Sequence, residues 1–186
     1  MKNFGLVIIG AHIGVHIINE INKYKDQHIL LIEPVPHNLG ALKKITDDYK
    51  NITIEPIAIG KKKAINKFYF VKGDSIQKLG KHWASGIGSF NKKHILDHRT
   101  KRFKIEEHDI DSINVETLTF SDLIDKYEIS EIDQLQIDVE GYEYDILLGL
   151  KNNIKMTKLI MFEHHYDNMI VKNYKFSTIN SLLLNN

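Results

Sequence analysis

The feature that most limits the fold of this chain is a series of short apolar runs, each of which ends at a glycine or an acidic residue. The first three runs, with the residues that follow them, are 6–9 before Gly10, 29–32 before Glu33 and 52–59 before Gly60. Apolar residues at helical spacing occupy the intervals between them, residues 14–24 and 36–49. Uninterrupted apolar runs are typical of strands buried on both faces of a parallel sheet. The alternation predicts an α/β fold with parallel strands and right-handed crossovers.

The rest of the chain resumes this order after a long polar stretch. Residues 64–71 predict a strand with a basic edge, and residues from about 73 to 110 predict a long insertion over the sheet. The later predicted elements are strands at residues 113–119, 134–139 and 159–162 and helices at residues 120–127, 142–150 and 176–184. Because the chain contains no internal repeat and no low-complexity linker, we expect residues 1–186 to form a single domain.

Charge and composition exclude several functional classes. The formal net charge is +1, which provides no overall field for binding nucleic acid. The chain has no cysteine, which excludes disulfides, thiolate metal sites and a cysteine nucleophile and suits a reducing compartment. No apolar stretch approaches the roughly 18 residues that a membrane span requires. We therefore expect a cytoplasmic protein that neither binds nucleic acid nor spans a membrane.

In an open parallel sheet, ligands bind beyond the carboxyl ends of the strands. The first strand is followed by Gly-Ala-His-Ile-Gly at residues 10–14, a loop that permits a sharp turn and brings helix amides to an anion. Glu33 follows about 20 residues later, where a carboxylate can accept hydrogen bonds from both hydroxyls of a ribose. Small apolar residues around Ala58 suit an adenine ring. Together they predict a nucleoside site; a plain turn, a solubilising acid and core packing are the alternatives.

Acidic residues and a histidine follow the last two strands. Asp138 and Glu140 alternate onto the same side of the chain and suit a metal, a substrate hydroxyl or a cation. Glu163, His164 and His165 follow the last strand, and a histidine there suits a base near neutral pH. An acidic capping turn and a solvated polar loop are the alternatives to these two interpretations.

The ten histidines raise the question of a zinc site. His94 and His98 stand four residues apart, and His164 and His165 are adjacent. The sequence places no third ligand beside either pair, and the spacing typical of zinc proteases is absent. We therefore predict no metal site from the sequence.

Several segments occur in an order that resembles one enzyme family. They are GAHIG at residues 10–14, IEPVP at 32–36, IAIG at 57–60, VETLT at 115–119 and LQIDVEGYE at 135–143, followed by ILLG at 146–149. This set, within residues 6–165, resembles the FkbM-type methyltransferases, which use S-adenosylmethionine. The resemblance implies a Rossmann-like class I methyltransferase fold, with a mostly parallel twisted sheet and helices on both faces.

The resemblance also implies roles for particular residues. The cofactor-binding set it implies is Gly10, Ala11, His12 and Gly14 at the methionine part, Glu33 at the ribose, and Pro34 and Ala58 beside the adenosine. It places Asp138 at the reacting end, with Glu140 supporting the turn. Two positions depart from the family, because Ile8 stands where an acidic residue is usual and His12 where asparagine is common. With little chain after residue 165, we expect the C-terminal hairpin to be missing or shortened, leaving an edge strand that a second copy can cover to form a homodimer.

The chemistry we expect is methylation of a hydroxyl on a sugar-like or small-molecule acceptor. Asp138, with Glu163 or His164, would orient or deprotonate that hydroxyl. A divalent metal on Asp138 and Glu163 is a second route, which we favour less. Residues 83–91 would form a lid over the acceptor, and the substrate-binding side chains we predict there are Ser85, Ser89 and Asn91.

Two other functional classes compete with this reading. The first is a methyltransferase-like domain that has lost catalysis and binds a partner or only the cofactor, which the isoleucine at position 8 favours. The second is a nucleotide-dependent oxidoreductase, which the glycine pattern disfavours because Gly-x-Gly-x-x-Gly is absent.

Overall fold

The structure, a computed structural model, describes residues 1–80, 82–98, 105–164 and 174–185, without the side chains of residues 82 and 83. Its strands are β1 (Lys2–Ile9), β2 (His28–Ile32), β3 (Ile52–Glu55), β4 (Ala58–Ile59), β5 (Ala64–Val71), β6 (Gly88–Ser89), β7 (Ile110–Leu118), β8 (Ile129–Ile137) and β9 (Thr157–Phe162). Its α-helices are α1 (Ile18–Lys23), α2 (Pro36–Thr46), α3 (Gly73–Leu79), α4 (Lys92–Asp97), α5 (Phe120–Tyr127), α6 (Glu143–Leu150) and α7 (Phe176–Leu184).

Five strands form a parallel sheet in the order β3-β2-β1-β8-β9. Successive residues of β1 enter two separate cores, because side chains of a strand alternate between the faces of the sheet. Leu6 and Ile8 pack in the core that includes residues of α1 and α2, whereas Val7 and Ile9 pack with residues of α5, α6 and α7. Each fully buried side chain of this size contributes roughly 1.5–3 kcal/mol. The Rossmann-like α/β architecture implied by the sequence is confirmed.

A second sheet lies beside the first, in the order β4-β7-β5-β6. Its main pair is β5 with β7, which run antiparallel from Ala64 opposite Thr117 to Val71 opposite Ile110. The sequence predicted a single strand over residues 52–59. This prediction is wrong, because the segment divides after Glu55 into the separate strands β3 and β4, with Pro56 at the break. Proline has no N–H to donate to a strand neighbour, and the chain after it leaves β2 so that β4 pairs with β7.

The predicted insertion at about 73–110 is folded where the structure describes it. It contains α3, α4, the short strand β6 and 3-10 turns at His82–Gly86 and Glu107–Asp109. The helix predicted at 14–24 is also less regular than expected, because a 3-10 turn at Val15–Ile17 precedes α1. The strands predicted at 113–119 and 134–139 begin earlier, at Ile110 and Ile129.

Among the described residues, the strand β9 forms one edge of the parallel sheet, because β8 is the one strand that pairs with it there. Its Leu159 and Met161 are exposed. Within the described part of the chain, α7 is the element that follows β9, and no hairpin strand comes after it. No helix among the described residues combines the length and the apolar character that crossing a bilayer demands.

Candidate active site

A pocket lies beyond the carboxyl ends of β1, β2 and β8, where ligands bind in sheets of this type. It has about 560 Å³ of space when its open mouth is counted. The residues that line it are Ile9, Gly10, Ile32, Glu33, Pro34, Val35, Ile57, Ala58, Ile59, Phe68, Gly86, Gly88, Ser89, Phe90, Asp138, Val139, Glu140 and Tyr142. Strand ends thus supply polar groups on one side, and β4 and β5 supply apolar residues on the other.

Gly10 allows the central strand ends to approach one another. Its backbone has a φ of +88°, and a Cβ at this position would lie 1.9 Å from the carbonyl oxygen of Asp138. The Gly10 N–H donates to the carbonyl of Ile32 at 3.0 Å, and the Asp138 N–H donates to that of Ile9 at 3.0 Å. Only glycine fits here, since any side chain would push β8 away from β1.

Glu33 is buried at the end of β2 and is held by three donors. Its Oε2 accepts from the His12 N–H at 2.9 Å, and its Oε1 accepts from the Val35 N–H at 2.9 Å and from Asn38 Nδ2 at 3.2 Å. Burial raises the pKa of Glu33 above its usual value although these donors lower it. A carboxylate offers about four acceptor positions. One acceptor position, on Oε2, is therefore left for one hydroxyl of a ligand. The sequence had predicted hydrogen bonds from both ribose hydroxyls.

The covering segment, residues 85–90, is attached by Ser85 to the loop after β1 and to α2. The Oγ of Ser85 lies 2.5 Å from His12 Nε2, and its carbonyl accepts from Asn38 Nδ2 at 2.9 Å. His12 has a φ of 52°, a left-handed conformation that non-glycine residues adopt rarely. Asn38 therefore joins Glu33 to the covering segment. Asn38 was not predicted as a site residue, and its one indication in the sequence is a polar side chain at a position of α2 that the helical spacing buries.

Asp138 carries the most perturbed carboxyl group of the pocket. Its side chain is accessible from the pocket, but surrounding protein removes enough water to raise its pKa to about 8. Desolvation is the largest cause, followed by a hydrogen bond and charge repulsion with Glu163, and then by the charges of Glu140 and Glu143. The backbone positions Glu163, because its N–H donates to the carbonyl of Ile137 at 3.0 Å. Asp138 therefore retains its proton in most molecules at neutral pH, and a hydrogen bond joins its carboxyl group to Glu163.

The acidic turn after β8 is held by Glu143, a residue for which the sequence pattern predicted no role. Glu143 is fully buried, and its Oε1 accepts from the N–H groups of Val139 at 3.2 Å and Gly141 at 3.1 Å. Its Oε2 accepts from the Tyr174 hydroxyl at 2.6 Å. The bonds stabilise a turn in which Glu140 has a φ of 55°.

The family model of the methyltransferase FkbM domain matches residues 9–186, a range that includes every residue of this pocket. The chain belongs to the FkbM methyltransferase family. No curated protein and no solved structure gives a significant match. Family membership makes this a methyltransferase domain, and the pocket at the strand ends is the place where its chemistry is to be sought.

In this FkbM methyltransferase domain, about half of the predicted site residues line the pocket. They are Gly10, Glu33, Pro34, Ala58, Ser89, Asp138 and Glu140. Glu163 forms a hydrogen bond with Asp138, and His12 forms one with Ser85. The roles predicted for all of these residues stay predictions.

The other predicted residues lie outside the lining. Ala11 is buried. A Cβ on Gly14 would lie 2.7 Å from Ile45, so this glycine admits close packing against α2. Asn91 caps α4, since its side chain accepts from the Lys93 N–H at 3.0 Å. The ring of His164 lies 5.2 Å from that of Phe176, while His165 lies outside the described residues.

Proposed function

We propose that this FkbM-family protein transfers a methyl group from S-adenosylmethionine to a hydroxyl oxygen of a sugar-like or other small polar acceptor. The observation that carries the proposal is the Asp138–Glu163 pair at the pocket, because a carboxyl group with a pKa near 8 suits a general base at neutral pH. Glu33 lies at the neighbouring strand end. The pocket thus has one group for holding a nucleoside and another for moving a proton.

The residues present fit the methyl donor. Glu33 retains one acceptor position for a ribose hydroxyl, and Ile57, Ala58 and Ile59 give an apolar wall for a purine ring. S-adenosylmethionine, when bound, supplies a methyl carbon on a positively charged sulfur, which is the chemistry the protein itself lacks.

The proton of the acceptor is handled by the chain's own residues. Asp138 in its ionised form would take the proton of the acceptor hydroxyl, while the bound donor would supply the methyl group and leave as a neutral thioether. The hydrogen bond to Glu163 holds the Asp138 carboxyl in place. Ser89 lines the pocket, and its Oγ accepts from the Asn91 N–H at 3.1 Å, so its own proton points elsewhere and can be donated to the acceptor.

Calorimetry tests the donor. S-adenosylmethionine and S-adenosylhomocysteine are titrated into the full chain, with NAD as the comparison ligand. We expect micromolar binding of both sulfur ligands, no binding of NAD, and at least tenfold weaker binding to Glu33→Ala because a charge-assisted hydrogen bond is lost. The exposed Glu116→Ala is the matched control and keeps wild-type affinity. Binding of NAD alone, or equal binding to both variants, contradicts the proposal.

A screen with methyl-labelled donor tests the reaction. Sugars, sugar nucleotides and small polyhydroxylated compounds are offered as acceptors, and mass spectrometry locates the methyl group in the product. Label on an oxygen supports the proposal. Donor binding without turnover on any acceptor points to the competing class, a domain that binds the cofactor without catalysis.

A further inference from the structure

Three potential metal ligands converge beside the pocket, from two distant parts of the chain. His94 and His98 occupy the same face of α4 and the residue after it, because they stand four positions apart. Glu140 comes from the turn after β8 and also lines the pocket. One ligand atom from each residue can be chosen so that all three lie within 4.8 Å of one another.

One buried nitrogen of His94 makes no hydrogen bond to any residue that the structure describes. The residue is 2% exposed, and its Nε2 has no hydrogen-bond partner among the described residues. Its distance to Glu140 Oε2 is 3.6 Å, which exceeds a hydrogen bond. Buried polar atoms without partners are costly, and a missing ion is a standard reason for finding one.

His98 is oriented as a metal ligand would be. The residue is 1% exposed, and its Nδ1 lies 2.9 Å from the carbonyl oxygen of His94. A carbonyl only accepts, so Nδ1 carries the proton and Nε2 carries the lone pair. Histidines that bind metals usually donate their second ring nitrogen to a carbonyl or carboxylate in this way.

Glu140 completes the set with a negative charge. Its left-handed backbone conformation is sparsely populated, and such conformations cluster at functional sites. Tetrahedral coordination at about 2.0–2.1 Å sets ligand atoms about 3.3 Å apart, close to the 3.6 Å between Glu140 Oε2 and His94 Nε2. A shift of an ångström or two would bring all three atoms to that spacing.

We propose that His94, His98 and Glu140 bind one divalent transition-metal ion of the zinc class. Two imidazoles and one carboxylate suit zinc better than magnesium or calcium, which take oxygen ligands. The three side chains leave a fourth position for water or a ligand oxygen, as in catalytic zinc sites. The ion would link α4 to the turn that follows β8, and so hold α4 at the rim of the pocket.

The test is titration of zinc chloride into the full chain after treatment with a chelator, followed by calorimetry. We expect one ion per chain with a Kd below about 1 µM, and cobalt(II) in its place to give the strong visible absorption of a tetrahedral site. Glu140→Gln keeps the shape of the side chain and removes its charge, and should weaken binding at least tenfold. His94→Gln should weaken it further. The exposed His16→Gln is the matched control and binds as the wild type does.

Two results would overturn the proposal. One is the absence of saturable zinc binding by the wild type, in which case His94 and Glu140 form an ion pair only. The other is equal affinity of the wild type and Glu140→Gln, which places the ion elsewhere. Circular dichroism of each variant separates lost ligands from lost folding. The zinc titration contains no methyl donor and does not measure methyl transfer. A negative result therefore contradicts the metal site alone and not the proposed methyltransferase activity.

Discussion

Glu33 and Asp138 lie at neighbouring strand ends of the same pocket, but their surroundings differ. Burial raises the pKa of both carboxyl groups. Three N–H donors surround Glu33, whereas acidic side chains surround Asp138. Donors hold a carboxylate in one place and suit it to binding. Acidic neighbours make a carboxyl group retain a proton near neutral pH and suit it to proton transfer.

The largest expected effect comes from removing the proton acceptor. Asp138→Asn should lower turnover about 10²–10⁴-fold, the usual contribution of a general base, while S-adenosylmethionine affinity stays within about threefold. Turnover is measured with an acceptor from the screen, and affinity by calorimetry. The exposed Asp26→Asn serves as the control. Unchanged turnover in Asp138→Asn removes this residue from the mechanism.

The second effect tests whether Glu33 is a binding group. Glu33→Gln turns an NH₂ group toward at least one of the three donors that now reach the carboxylate. We expect about 1–3 kcal/mol lower stability in urea and about 10–100-fold weaker S-adenosylmethionine binding. Turnover at saturating donor should change little. A large loss of turnover at saturation would show that Glu33 takes part in the chemistry, and the contrast with Asp138 would fail.

The third effect is the pH dependence of turnover. With a pKa of about 8 for Asp138, the basic form is about tenfold more abundant at pH 9 than at pH 7, so turnover at saturating donor should rise about tenfold and then level off. Glu163→Gln removes a negative neighbour, so the rise should move to lower pH. A profile that is flat between pH 6 and 9 is incompatible with Asp138 as the base.

The smallest effect is on stability. The native pKa of Asp138 lies above its unfolded value near 3.9, so its ionisation destabilises the fold progressively as pH rises from about 4 to about 8. Asp138→Asn removes this penalty. Its Tm should exceed that of the wild type by about 2–4 °C at pH 9, allowing for solvent screening, and by less at pH 5. Thermal melts at both pH values check this, and an equal difference at both would contradict it.

Much of the fold follows from local sequence patterns. The predicted helices at 120–127 and 176–184 and the strand at 64–71 coincide with α5, α7 and β5. The N-cap of α5 is Thr119, whose side chain accepts from the Asp122 N–H at 3.0 Å, and the sequence analysis did not identify this residue. Periodicity identified the helix, and only the backbone geometry identified its first residue.

The interior of the 73–110 region and the break at Pro56 were not predicted. The break at Pro56 depends on the pairing of β4 with β7, which lies far along the chain, and the short strand β6 depends on its pairing with β5. The contacts of Asn38 and Glu143 have the same character, since their partners include Ser85 and Tyr174. Local patterns carry little information about such partners, because pairing at long range depends on how the elements pack.

The sequence by itself determined that the chain forms an α/β fold with a parallel sheet, because strands buried on both faces appear as uninterrupted runs of apolar residues. The ends of these runs also identified the residues that follow each strand. The sequence motifs also indicated the resemblance to FkbM-type methyltransferases, and the family match confirms it. Only the tertiary structure decided that Glu33 is surrounded by donors, that burial and Glu163 raise the pKa of Asp138, and that Glu140 lies beside His94. A carboxyl group's protonation and partners depend on its three-dimensional neighbours, which spacing along the chain does not specify.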